Sequence, residues 1–108
     1  MAERTRSPGD TAVAKPKTRS ARKLAQPPLY KVLLHNDDYT TMEFVVEILR
    51  AVFHHDLESA TRIMLHVHQR GVGVAGTYPM EIAESKAEKV KSLAHAAEFP
   101  LLCTVEPE

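Results

Sequence analysis

The chain has 108 residues, 44% hydrophobic and 26% charged, with no Trp and a single cysteine, which suits one ordinary globular domain with a mainly aliphatic core. Cys103 alone cannot close an internal disulfide, and no apolar run approaches the roughly 18 residues that span a bilayer. Disulfide-framed secreted scaffolds and membrane helices are therefore excluded, and a soluble, monomeric, cytoplasmic protein is expected.

The formal net charge of +0 conceals a division along the chain. Residues 1–26 carry seven basic side chains (Arg4, Arg6, Lys15, Lys17, Arg19, Arg22, Lys23) against Glu3 and Asp10, a surplus of five that the rest of the chain balances with acid. The segment has no apolar periodicity and contains Pro8, Gly9 and Pro16. It cannot bury enough surface to offset its ordering entropy, so it reads as a disordered basic extension, a solvated tail or a pulling handle. Its Arg, Ser, Thr and Ala content also fits an organellar transit peptide, without a visible amphipathic face, whereas the missing apolar h-region excludes a secretory signal. Pro27-Pro28 marks the boundary, and residues 27–108 read as one folded domain.

Leu29 to His35 reads as a strand, rich in β-formers and bounded by the polar cluster Asn36-Asp37-Asp38. Thr40-Thr41-Met42-Glu43 has capping-box spacing, with Thr40 as the expected cap of a first helix and Glu43 reaching back to it. Val45, Ile48, Leu49 and Val52 follow at i, i+3, i+4, i+7, the stripe of a core-facing helix. Asp56 is placed to cap a second helix with the stripe Ala60, Ile63, Met64, Val67, and Gly71 stands where a helix end needs a left-handed residue. The glycine-rich run 72–77 predicts a short strand with a bulge or a tight approach. Pro79 fits the first turn of a third helix whose inner face would be Ala83, Ala87, Val90, Ala94 and Ala97, with Glu84, Glu88 and Lys91 outward. Pro100 ends that region, and 101–105 is a last strand. The order β-α-α-β-α-β predicts an α+β fold: a small sandwich of a three-stranded sheet with three helices packed on it.

Three groups of residues are candidates for chemistry. Asn36-Asp37-Asp38 could form a turn, bind a cation or hold an amine; no spaced calcium loop surrounds it. His54-His55 are chain neighbours and His66 and His68 are two apart, so neither pair shares a helix face as a zinc pair would, and no metal is expected. His68 lies one position beyond the stripe residue Val67, at the rim of the inner face, where a ring is part packed and part free to hydrogen bond. Cys103 has apolar neighbours in an expected edge strand and no base or oxyanion motif, so it reads as packed core rather than nucleophile. An Asp37–His68 acid–base pair is the enzymatic alternative, with no nucleophile or phosphate loop beside it. Nucleic-acid binding is motivated by the basic tail and opposed by the acidic domain.

The run Leu29-Tyr30-Lys31-Val32 through Asn36-Asp37-Asp38-Tyr39-Thr40 and Met42-Glu43-Phe44-Val45 resembles the ClpS adaptor family. So do the run from Ala60 to His68, Ile82-Ala83-Glu84 with Lys86, and Pro100-Leu101-Leu102-Cys103-Thr104. These blocks run in order over residues 28 to 106 at family spacing. The resemblance implies an adaptor with no catalytic residues and no cofactor, which binds proteins whose free first residue is Leu, Phe, Tyr or Trp. It implies delivery of them to the N-terminal domain of a ClpA- or ClpC-like AAA+ ATPase and its ClpP protease. By position, Asn36, Asp37 and His68 would contact the substrate α-amino group, and Leu34, Thr40, Met42, Val45, Met64, Val67 and Leu101 would line the side-chain pocket. Glu81 and Lys86 would dock on the ATPase, and the extension would engage it during delivery. Thr41 stands where many members have Pro, Pro79 where many have a capping Thr, and Ser85 where Thr is common.

Overall fold

The structure is a computed structural model that describes residues 27–108; the expected basic extension, 1–26, lies outside the described residues. The chain runs β1 (Leu29–His35), α1 (Met42–Ala51), α2 (Leu57–Arg70), β2 (Val72–Pro79), α3 (Met80–Ala96) and β3 (Leu102–Pro107). The strands form one three-stranded antiparallel sheet in the order β2-β1-β3. The architecture is the expected α+β sandwich. β1 is apolar at five of its seven residues and takes the centre, whereas β2 and β3, which carry glycine or proline, take the edges.

Strand alternation decides the layering. Val32 and Leu34 are fully buried under the helices, while Lys31, Leu33 and His35 point to the opposite, open face of the sheet. On that face two cross-strand pairs tie β1 to β3: the His35 ring bonds the Thr104 hydroxyl at 2.7 Å, and Lys31 lies 3.8 Å from Glu106. The expected β2 irregularity is present. Val32 pairs with Gly76 and Leu33 with Val74, which leaves Ala75 as the extra residue of a bulge. Its carbonyl is met by His55 Nε2 at 2.6 Å, so the loop between α1 and α2 is pinned to the bulge. The tight approach falls at Gly73, where a Cβ would stand 2.7 Å from the Val67 side chain. Only a residue without a Cβ lets α2 settle this closely on β2.

The helix stripes are read correctly in the main. Val45, Ile48, Leu49 and Val52 are all buried, as are Ala60, Met64, Val67, Ala83, Val90 and Ala94. Ile63 and Ala87 are half-buried at the margins of their stripes. Ala97 corrects the expectation: α3 stops at Ala96, Ala97 is its exposed C-cap, and Leu93 takes the core contact instead. Gly71 ends α2 with φ 91, the left-handed cap that was expected.

Three boundaries differ from the sequence reading. The cap of α1 is Thr41, whose hydroxyl accepts from the Phe44 N–H at 3.1 Å. Thr40 lies one residue outside the cap, with its hydroxyl and its N–H both donating to Asp37; with Thr41 as cap, Glu43 is no longer in capping-box register. Pro79 is the last residue of β2 and the N-cap of α3, held in the strand by pairing with Leu29. β3 begins at Leu102, one residue after the buried Leu101, and continues to Pro107. No described helix is long and apolar enough to cross a membrane.

Candidate functional site

A hollow of about 220 Å³ opens where the β1–α1 loop meets the start of α1 and the end of α2. The loop supplies Asn36, Asp37, Asp38 and Thr40, α1 supplies Met42 and Val45, and α2 supplies Met64, Val67 and His68. The Asn36 N–H donates to the Gly71 carbonyl at 2.9 Å, which ties the polar loop to the C-terminal end of α2 and so to the turn that carries His68. Along the chain, the whole of α1 and most of α2 lie between Asn36 and His68. The left-handed Gly71 returns the chain to the sheet and brings them together.

Val45, Met64 and Val67 are buried and make an apolar wall, while Met42 is 43% exposed and stands at the mouth. Asn36, Asp38 and His68 are exposed and make a polar rim with the half-buried Asp37. The lining contains two carboxylates and no Lys or Arg, so the rim suits a cation. Asp37 is held firmly. Its Oδ1 accepts from the N–H groups of Tyr39 at 2.8 Å and Thr40 at 2.7 Å, and its Oδ2 accepts from the Thr40 hydroxyl at 2.7 Å. Burial by itself would push this carboxyl up, but the bonds from Thr40 and Tyr39 outweigh it and hold the group below its ordinary value. Asp37 is thus a preformed anion, fixed in place before any ligand arrives.

Of the residues expected on sequence grounds, eight meet in this hollow: Asn36, Asp37, Thr40, Met42, Val45, Met64, Val67 and His68. Leu34 and Leu101 are not on its wall. Leu34 is fully buried in the core cluster that also contains Val45, Met64 and Val67. Leu101 borders a separate hollow with Ala94, Phe99 and Cys103. Asp38 was noted in sequence only as part of the polar cluster, yet it lines the hollow.

Glu81 and Lys86 lie elsewhere. Leu29 at the start of β1 pairs with Pro79, the residue before α3, so the length of β1, roughly 20 Å at about 3.3 Å per residue, lies between the start of α3 and the loop that gives the hollow its polar rim. Glu81 is exposed in the first turn of α3. Lys86 turns inward: its ammonium donates to the Val52 carbonyl at 2.7 Å and stands 5.9 Å and 5.2 Å from the Phe53 and Tyr78 ring centres.

Catalytic chemistry has little to work with in the hollow. Its only hydroxyl, on Thr40, is donated to Asp37, and the Asp37 oxygens bond the loop rather than His68. Cys103 is half-buried on the edge strand β3, and burial pushes its thiol up to about 11, away from the thiolate a nucleophile needs. Among the described residues no three His, Cys, Asp or Glu side chains gather as a metal site. What the arrangement can do is bind: one apolar side chain inside, one cation at the rim. At about 220 Å³ the hollow is smaller than the roughly 300–1,000 Å³ of drug-sized pockets, a scale fit for one residue.

The sequence model of the family described as ATP-dependent Clp protease adaptor protein ClpS matches residues 25–104. An ATP-dependent Clp protease adapter protein ClpS from Desulfatibacillum aliphaticivorans is 59% identical over 91 residues, which cover 84% of this chain and 88% of that protein. The protein of the same name from Nitrosomonas eutropha is 47% identical over 108 residues and covers 100% of both chains. Among solved structures, that of Agrobacterium tumefaciens ClpS2 bound to L-phenylalaninamide superposes with a TM-score of 0.74 at 44% identity, covering 77% of this chain and 100% of that one.

Proposed function

The chain belongs to the ClpS family of Clp protease adaptors, and from that premise we propose that it binds proteins by a free first residue with a bulky apolar side chain, Leu, Phe, Tyr or Trp, and delivers them to a Clp AAA+ ATPase. As a family member it is an adaptor and not an enzyme. One observation carries the reading: a side-chain-sized apolar hollow whose rim holds a preformed carboxylate, Asp37, with Asn36 and His68 beside it. The Agrobacterium relative binds L-phenylalaninamide, a free amine next to a benzyl side chain.

The physical terms agree. An α-ammonium has a pKa near 7.7–8.0 and three donors, which Asp37 and the Asn36 carbonyl can accept. Burying about 150–200 Å² of an aromatic or Leu side chain at ~25 cal/mol/Å² contributes roughly 4–5 kcal/mol. Micromolar affinity requires about −8 kcal/mol, and charge-assisted hydrogen bonds of about 1.5–3 kcal/mol each supply the difference before ordering costs. Neither the side chain nor the amine suffices alone.

Docking is assigned to the start of α3. Glu81 stands in solvent for a partner, and Lys86 fixes the end of α1 beneath that surface through Val52. With the length of β1 between this surface and the polar rim of the hollow, substrate and ATPase have separate places to bind. The basic extension 1–26 is assigned to engagement by the ATPase.

The test is a pair of peptides beginning with Phe that differ only in N-acetylation. The free amine should bind and the acetylated copy should not, because acetylation removes the charge and leaves the ligand-facing acceptor site of Asp37 desolvated and unfilled. Equal affinity for the two would refute amine recognition.

A further inference from the structure

Thr40 belongs to the lining of the hollow, but its hydrogen bonds go to Asp37. Its hydroxyl donates to Asp37 Oδ2 at 2.7 Å, and its N–H, with that of Tyr39, donates to Oδ1. An ionised carboxylate offers about four acceptor sites. The loop takes three of them, two on Oδ1 and one on Oδ2, so a single site on Oδ2 is left for a ligand.

We propose that Thr40 is a positioning residue for amine recognition, acting through its hydroxyl on Asp37 rather than through its methyl on the substrate side chain. The inference rests on the proposed function and deepens it. The two N–H bonds hold Oδ1 alone, and a carboxylate held at one oxygen can still rock about its terminal torsion. The Thr40 hydroxyl holds the second oxygen through a short charge-assisted bond, so the remaining acceptor site has one direction. A ligand ammonium then meets a carboxylate that is already oriented, with less ordering to do on binding.

A lining role for the methyl makes the opposite forecast, and this separates the two. Thr40→Val keeps the shape and adds a methyl where the hydroxyl was; Thr40→Ser keeps the hydroxyl and removes the methyl. If positioning holds, Thr40→Val weakens binding of a free-amine Phe peptide about tenfold, as expected for loss of a hydrogen bond to a charged group. Thr40→Ser stays within about twofold, since its hydroxyl retains that bond. Thr40→Ala, which adds no bulk, is the second hydroxyl-free variant and should match Thr40→Val. The Asp37 carboxyl carbon, followed by NMR, should titrate higher in Thr40→Val than in the parent, remain at the parent position in Thr40→Ser, and be read separately from Asp38.

Parent-like or tighter binding by Thr40→Val, or a loss in Thr40→Ser as large as in Thr40→Val, overturns the positioning role. An Asp37 midpoint unmoved by Thr40→Val also overturns it. If the parent itself binds the acetylated peptide as well as the free one, the amine-recognition reading fails and this inference falls with it. A parent that discriminates, beside a Thr40→Val that binds normally, removes this inference alone.

Discussion

Replacing Lys86 with Met should destabilise the domain before it affects any partner. The Lys86 ammonium donates to the carbonyl of Val52, the C-cap of α1, at 2.7 Å, and it lies over the Phe53 and Tyr78 rings at 5.9 and 5.2 Å. Met keeps most of the apolar stem and removes the charge, so the perturbation is confined to the head group. A hydrogen bond from a charged donor contributes about 1.5–3 kcal/mol. The positive charge at a helix C-terminus adds about 0.3–1 kcal/mol, and each ring contact about 0.5–1 kcal/mol. The partly desolvated ammonium offsets some of this, which leaves about 2 kcal/mol net, most of it the cost of a Val52 carbonyl left without a partner on a residue only 5% exposed. For a domain of this size about 2 kcal/mol corresponds to a fall in Tm of roughly 8–16 °C. Urea unfolding should show a lower midpoint at an unchanged slope. Glu81→Gln is the control: Glu81 is exposed, so stability should hold within about 0.5 kcal/mol while ATPase docking weakens. If Lys86→Met unfolded within about 0.5 kcal/mol of the parent, the bond to Val52 would not be made in solution, and the structural role assigned to Lys86 would be wrong.

Met42 is exposed at the mouth of the hollow, where a first residue branched at Cβ carries its bulk. Met42→Ala should therefore improve binding of peptides beginning with Val or Ile by about tenfold, with Leu and Phe retained, as measured by peptide titration; continued rejection of Val and Ile would remove Met42 as the gate. Affinity for a Phe peptide should fall as pH rises through the amine pKa, about 7.7–8.0, because the ligand loses its charge. At the acid end, Asp37 is held below its ordinary value, so its contribution to the loop is complete above the unfolded carboxyl value near 3.9 and is lost as pH falls through the lower folded value. Binding should consequently be flat between about pH 5 and 7, and a titration that lost affinity at about pH 5 would contradict the Asp37 assignment. Cys103, with its thiol pushed up to about 11, should alkylate about a hundredfold more slowly at about pH 8 in the folded protein than after denaturation; comparable rates would show that β3 opens readily.

The helices were legible because their signals are short-range. The stripe Val45, Ile48, Leu49, Val52 depends only on residues within two turns, and each of its members is buried. Gly71 as a left-handed cap and Asp56 as an N-cap likewise need only their own neighbours, and both took those roles. The family blocks, from the N-D-D-Y-T loop to His68, singled out most of the hollow before any geometry was known.

What only the tertiary structure decided depends on contacts between distant parts of the chain or on competition for one group. Spacing to Glu43 favours Thr40 as the cap of α1, but folding engages Thr40 with the Asp37 carboxylate and starts the helix one residue later, with Thr41 accepting from the Phe44 N–H. Pro79 belongs to the strand because Leu29, fifty residues earlier, pairs with it. Leu34 and Leu101 are both buried yet line no part of the hollow, because packing depth and the side on which a residue packs are properties that periodicity does not encode. Lys86 is the sharpest case. The family resemblance implies a docking role for Lys86 without saying where its side chain lies, and it turns inward because the end of α1, 34 residues away, presents the Val52 carbonyl and the Phe53 ring, and β2 the Tyr78 ring, to receive it. Spacing along the chain records which residues can share a face; which partner a polar group finally takes is chosen among all the groups that folding brings within reach.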